Sequence, residues 1–435
     1  MSGAVAAHAA YNGSGTQGLA VTNKIHDDDG DVMSVFWNKN DTTRQLLYGS
    51  SIIEIPASGS GGSLSAGGNQ FFTVNNDIDA VGDLYLQITT GTASQTDSLE
   101  SFGLLNAVKR IEYMVGTQVW QTLETADIRA LNMTEMSEDS FQSFVLAMSG
   151  GFNDSGQRIS VKTTSDGDIN GSSAGSAQRT GVLRIPALSR SIGPKFSKFT
   201  DVSEQAYLLA GAPHQSVKIK VYMNSTNNLP SGTTFTLKLF GQCIVMCNEE
   251  REQIKAMPSG LPKRLKMTQN STTSFVQPTT VAGQGVKSVV KLDLDHFSLY
   301  ASHIILVVNP TGTNAASCNA SIESAELKLN SSSFSGTLGG PLLTGAAADA
   351  LGLYSNGFYI GGANFTDNYY IFPLASLAYG GSSVPLNRFD NIRMELNVIM
   401  NTVGDGTDKP FNVSATCVGE TTALYKGGAA SLAMY

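Results

Sequence analysis

Charge is scarce in this chain. Of its 435 residues only 15% are Asp, Glu, Lys or Arg, against about 25% for an average soluble protein. The charges sum to −8 and the basic residues are scattered. No RNP-like, zinc-finger or basic-helix pattern is present, so direct contact with nucleic acid is not expected. Long apolar runs are missing too. The longest compact one, Ile304 to Val308, is far short of the roughly 20 residues that span a bilayer. The opening MSGAVAAHAAYNGSG lacks a basic n-region and a sustained apolar core, which argues against a secretory signal and for a cytoplasmic origin. Cysteine is rare as well. Cys243, Cys247, Cys318 and Cys417 are too few and too irregular for a disulfide framework and suit a reducing compartment. Asn-x-Ser/Thr triplets, as at Asn224, Asn270 and Asn364, are what chance supplies in a chain so rich in Asn, Ser and Thr.

Glycine is abundant, at 45 residues, and short apolar runs alternate with Gly/Ser/Asn loops. That combination favours short strands and turns over long amphipathic helices. After an arm of residues 1–48 with weak periodicity, GDLYLQITT places Leu84, Leu86 and Ile88 on one face, with Tyr85 and Gln87 on the other. RIEYMVGTQVWQTL reads as a hairpin turning at Gly116–Thr117. A helix is expected from about Thr125 to Met148, broken near Asn132 and Ser137. In HQSVKIKVYM the residues Val217, Ile219, Val221 and Met223 face inward, and in TFTLKLFGQCIVMC so do Phe235, Leu237 and Leu239. A second set of strand-like segments follows, including SVVKLDLDHF, ASHIILVVNP, SIESAELKLN, NIRMELNVIM and FNVSATCV. Two successive sets of short strands point to an all-β chain of two β-sandwiches or jelly rolls, with short helices in the loops. The expected divisions are 1–48 for an arm, 49–250 for the first body and 251–435 for the second.

Chemistry is harder to find. GSSAG matches the nucleophile-elbow string at Ser173, but it lies in a Gly/Ser loop and not between a strand and a helix. HDDDGD, His26 to Asp31, lacks the ligand spacing of a calcium loop. The five histidines do not cluster with cysteines at zinc spacing. No catalytic set, cofactor or metal is expected. The stretch QCIVMCNEEREQIKAMPSGLPKR is the exception in composition. If its first part is a strand, Cys243 and Cys247 share a face about 13 Å apart, too far for a disulfide. The next part reads as a short helix that links the two bodies, with Asn248 as N-cap, Glu249 and Glu250 in its first turn, Arg251 following and Pro258 soon after its end. The stretch is therefore a joint between two bodies, near Asn248 to Pro262.

Strand, acidic-Arg helix, proline and basic strand in that order resemble the link between the two jelly rolls of major capsid proteins of nucleocytoplasmic large DNA viruses, the algal-virus proteins above all. Further similarities follow in the family's order. IEYMVGTQV resembles its strand–turn–strand hairpin, with Thr117 where a second glycine is usual. AYLLAGAPHQSVKIKVYM resembles the segment leading into a first-domain strand, and SIESAELKLNSSSF a second-domain strand and turn. LNRFDNIRMEL is similar to its Asn-Phe-Ser-Arg-Ile-Asp-Asn signature, and LYKGGAASLAMY to its Gly-rich C-terminus. The resemblance covers roughly Leu84 to Tyr435, whereas MSVFWNKNDTT only faintly echoes the family. It implies two consecutive jelly rolls side by side, a double jelly roll spanning 49–250 and 251–435, and a structural subunit of the virion whose trimers of pseudo-hexagonal outline tile an icosahedral shell over an internal membrane. It also implies contacts with neighbouring capsomers and with minor capsid and penton proteins, and assembly in the host cytoplasm. In NRFDN, Arg388 and Asp390 are two apart and share a face if extended, candidates for ion pairing with neighbours at a domain or trimer seam. The alternatives that composition allows are a β-rich adhesin or glycan-binding protein, and a carbohydrate hydrolase. With only Trp37 and Trp120 as tryptophans and no acidic strand-end pair, the hydrolase has little to build on.

Overall fold

The computed structural model describes residues 48–58, 63–74, 77–90, 103–136, 152–153, 161–163, 169–171, 179–186, 207–208, 215–225, 234–246, 261–277, 286–310, 319–351, 353, 368–374, 383–401, 409–426 and 429–433. Within them the chain builds four antiparallel sheets and one small hairpin.

The first sheet runs in the order β1 (Tyr48–Ile55), β13 (Phe235–Met246), β4 (Ala80–Thr90), β10 (Arg179–Ile185), β7 (Phe152–Asn153), with β11 (Tyr207–Leu208) also on β4. The second runs β2 (Ala57–Ser58), β3 (Asn69–Thr73), β12 (Val217–Met223), β5 (Val108–Val115), β6 (Gln118–Glu124). The third runs β14 (Leu261–Gln277), β23 (Lys409–Lys426), β16 (Tyr300–Pro310), β20 (Asn368–Pro373), with β21 (Val384–Pro385) on β16 and β24 (Ala429–Ala433) on β23. The fourth runs β15 (Val286–Asp293), β22 (Ile392–Asn401), β17 (Asn319–Leu329), β18 (Ser332–Ser333), with β19 (Leu338–Gly339) on β17. β8 (Val161–Thr163) and β9 (Ile169–Gly171) pair only with each other. The helical pieces are short: α1 (Gly103–Asn106), α2 (Thr125–Glu135), α3 (Ala347–Ala350), a π turn at Leu342–Ala346 and a 3-10 turn at Leu386–Arg388.

Among the described residues, with β2, β7, β8, β9, β11, β19, β21 and β24 set aside as accessory and the two-residue β18 kept, each half holds eight strands. In the first half one sheet joins the first, eighth, third and sixth of these, and the other joins the second, seventh, fourth and fifth. The second half repeats both orders. This is the jelly-roll connectivity, present twice in one chain. No repeat is visible in the letters, so the duplication lives in topology alone.

Period-two burial produces the strands. On β4, Leu84, Leu86 and Ile88 are buried while Tyr85 and Gln87 are half-buried. On β12, Val217, Ile219, Val221 and Met223 are buried and the lysines between them are not. Each such side chain taken from water contributes about 1.5–3 kcal/mol. The β5–β6 hairpin turns at Gly116–Thr117, with Val115 opposite Gln118. Gly116 has φ +62 and Thr117 has no left-handed φ, so the glycine-first pattern is that of a type II′ turn and Thr117 is accommodated.

Two expectations need correction, at Asn132 and at Arg388. The helix from Thr125 ends at Glu135, beside the break expected near Ser137, and Met136 is extended with φ −92 and ψ 143; residues 137–148 lie outside the described residues. Asn132, expected near a break, is helical and donates from Nδ2 to the Arg184 carbonyl at 3.0 Å. Arg388 is not in a strand but in the 3-10 turn, so the two-residue spacing to Asp390 does not put them on one face of a strand.

Strand β16 explains the longest apolar run. Ile304, Leu306 and Val308 point into the core of the second sandwich. Ile305 and Val307 point the other way, into a cluster shared with the first half. Burial on both faces replaces alternation by a continuous apolar run.

Candidate functional site

The most densely built polar site among the described residues is the seam between the halves, where α2 and β6 meet β14 and β23. The apolar ground for it is laid by Leu265, Ile305, Val307, Tyr369, Val418 and Tyr425, all buried and continuous with the first sandwich's core. On β14, Lys266, Thr268 and Asn270 occupy alternate positions, so they share a face and project about 13 Å along the strand. Opposite stand Glu135, Gln121 and Asp127, with Asp127 and Glu135 eight residues apart on α2, about 12 Å along its axis. The two spacings match, and each β14 side chain meets one partner.

At the centre, Gln121 Nε2 donates to the Thr268 carbonyl at 3.1 Å and to its Oγ1 at 2.7 Å, while Gln121 Oε1 accepts from the Thr268 N–H at 3.3 Å. A carboxamide thus imitates a strand neighbour for β14. At the helix N-terminus, Asp127 Oδ2 accepts from the Glu124 N–H at 2.9 Å, a first-turn carboxylate on a free helix donor. Its Oδ1 accepts from Asn270 Nδ2 at 2.8 Å and Thr416 Oγ1 at 2.9 Å. Asp127 is 1% exposed, and burial pushes its carboxyl up to about 6 against the pull of these three hydrogen bonds.

The other end of α2 is ionic. Glu135 meets the buried Lys266 ammonium through Oε1 and lies 3.7 Å from Arg184 Nη2 through Oε2. Arg184, also buried, donates from Nε and Nη2 to Asp83 Oδ2 at 2.9 and 2.8 Å and from Nη1 to Asn132 Oδ1 at 3.2 Å. Burial pulls Lys266 down to about 8, with the Asp83 charge opposing, so it still meets Glu135 as a cation near neutral pH. His303 on β16 is pushed down to about 3 by burial and by the Lys266 charge, and is neutral. Its Nδ1 is 2.7 Å from Ser302 Oγ, which donates to the Val418 carbonyl at 3.1 Å. The ring nitrogen is therefore the donor in the first of these bonds. Two cations and two carboxylates balance in this cluster. A further bond, from the Ala430 N–H to Gln215 Oε1 at 2.8 Å, ties the C-terminal strand to the first half.

None of the sequence-derived candidates is among these seam residues. Asn248, Glu249, Glu250, Arg251 and Pro258 fall outside the described residues, as do Cys247, Ser173 and the His26–Asp31 run. Arg388 and Asp390 are both exposed. The signature around them is nevertheless held in place. Asn330, at the turn after β17, accepts through Oδ1 from the Asp390 and Asn391 N–H groups at 3.1 and 3.2 Å. It also donates its own N–H to the Asn391 carbonyl at 2.8 Å. The structure thereby brings LNSSSF and NRFDN together. Cys243 and Cys417 are buried free thiols, both pushed upward by burial, Cys243 to about 11. Among the described residues no three His, Cys, Asp or Glu side chains converge as a metal site.

Sequence reasoning missed Gln121, Asp127, Glu135, Arg184, Lys266 and His303. The available signal was a charged or polar residue set among apolar neighbours on a strand, as in VLRIP and SHIIL.

No family model and no curated protein matches this sequence. Solved structures do match in fold. The crystal structure of PBCV-1 VP54, fitted into a reconstruction of the virophage Sputnik, aligns at TM-score 0.64 with 13% identity, covering 90% of this chain and 98% of that one. The Faustovirus major capsid protein aligns at TM-score 0.57 with 8% identity, covering 93% and 96%. A chain of the Sputnik virophage structure aligns at TM-score 0.54 with 13% identity, covering 90% and 89%. At these identities the likeness is one of fold: the chain is a double jelly roll.

Proposed function

We propose that this chain is a major capsid protein, a structural subunit whose copies tile the icosahedral shell of a double-stranded DNA virus. The observation that carries the reading is the doubled strand order, one jelly roll repeated in a single chain across nearly the full length of the capsid-protein structures it resembles. Two β-bodies clamped by a buried polar seam make a rigid block, which a tile requires. The reading includes a homotrimer of pseudo-hexagonal outline, lateral contacts with neighbouring capsomers, and contacts with minor capsid and penton proteins. An internal membrane would lie beneath the shell, with assembly in the host cytoplasm. A net charge of −8 favours lipid and protein, not this chain, next to the genome. In an assembled shell, exposed Arg388 and Asp390 would pair with a neighbouring copy and not with each other.

Residues 248–258, Glu249 and Glu250 included, would form the joint between the jelly rolls, because one set of sheet strands ends at Met246 and the next begins at Leu261. Light scattering on the purified protein tests these readings together. A mass near three times 45.9 kDa, with sheets or shells on imaging, is expected, and E249Q/E250Q should return the same mass. A stable monomer with glycan-hydrolysing activity would overturn the capsid reading.

A further inference from the structure

Asp127 is a seam carboxylate that ties three elements together through neutral donors. It caps the N-terminus of α2, and through Oδ1 it accepts from Asn270 on β14 and Thr416 on β23. All three donors are neutral, and among the described residues no cation pairs with it. The groups facing it are few. From its own side comes the Glu124 carboxylate, which also disfavours its ionisation. From β14 comes Asn270, whose carbonyl oxygen lies 3.2 Å from His296 Nε2 in the turn after β15 and whose Oδ1 accepts from Thr272. From β23 come Thr416 and, two residues back, Ser414, bonded to Thr272. The ionic cluster of Lys266, Glu135, Arg184 and Asp83, with His303 beside Lys266, sits at the other end of the helix.

An ionised carboxylate in such a place has given up water for three neutral dipoles and has no counter-charge. We propose that Asp127 makes the seam a proton-operated latch: its protonated form, present in mild acid, holds the two jelly rolls together more firmly than the carboxylate that replaces it near neutral pH. The sign follows from linkage. Burial raises the value in the closed seam to about 6, while an Asp exposed to water, as in the open seam, titrates near 3.9, so between them the closed seam binds the proton that the open one releases. Grip is therefore strongest below about pH 4, falls as pH rises through 6 and then levels off. A displacement of about two pH units corresponds to a change of about 100-fold in the opening equilibrium. The inference stands apart from the capsid reading, since it concerns one chain.

Hydrogen exchange on the full chain tests it, corrected for the intrinsic pH dependence of exchange. Between pH 4.5 and 7, amides of β14 and β23 next to α2 should open at least tenfold more readily, while those of β4 change little. The D127N substitution should remove the difference. T416V, which deletes one donor and keeps the buried carboxyl group, should move the loosening to higher pH, and serves if D127N does not fold. The same pH dependence in D127N, an unmoved transition in T416V, or equal loosening of β4 would each overturn the proposal.

Discussion

Lys266, Thr268 and Asn270 illustrate how a side chain's meaning depends on what faces it. Read along β14, polar residues at every second position describe a strand with one face in water. Here that face meets Glu135, Gln121 and Asp127 of the other jelly roll, with Lys266 and Thr268 buried. Local pattern fixes which residues share a face, but not whether the face meets solvent or protein. The same limit hid Arg184 and His303, whereas Leu84, Leu86 and Ile88 were legible because apolar alternation has one destination. The ionic end of the seam yields a sharp expectation. The E135Q substitution leaves the buried Lys266 ammonium without its carboxylate, a loss of about 3–5 kcal/mol for a broken buried pair. The urea midpoint should drop with the slope unchanged. A drop below about 1 kcal/mol would mean that Lys266 is solvated in the folded protein.

Turns and their tethers govern at the level of elements. The β5–β6 hairpin was readable because glycine and period-two strands announce it. The turn after β17 is less obvious, since Asn330 and Ser331 take φ 48 and 70 without glycine. Asn tolerates the left-handed region better than most residues. It also has a second task there, holding Asp390 and Asn391 from 60 residues away in sequence. That contact continues the β17–β22 ladder past Leu329 and Ile392, and no spacing rule could expose it. The two tasks separate by mutation. N330G keeps the backbone freedom and loses the acceptor, whereas N330A loses both. Thermal melts should rank them wild type, N330G, N330A, with about 1 kcal/mol between the two variants. Equal melting of the variants would show that backbone strain contributes nothing at this turn.

For the whole molecule, strand order and hydrophobic pattern pointed to two sandwiches, and the seam makes them one cooperative body. Ile305, Val307, Tyr369 and Val418 belong to the second half by sequence and to a shared cluster by packing. Calorimetry on the full chain should give a single transition, and residues 261–435 produced alone should bind a hydrophobic dye or aggregate. Two well-separated transitions would count against this coupling. The two-faced burial of β16 also limits how far the doubling goes. Its counterpart by strand order is β4, whose outward side carries Asp83, Tyr85 and Gln87 where β16 carries His303, Ile305 and Val307. The halves are therefore copies in topology but not interchangeable parts. A chain built from the first jelly roll twice would present polar residues where its sibling needs grease, and the pair would drift apart as beads on a string.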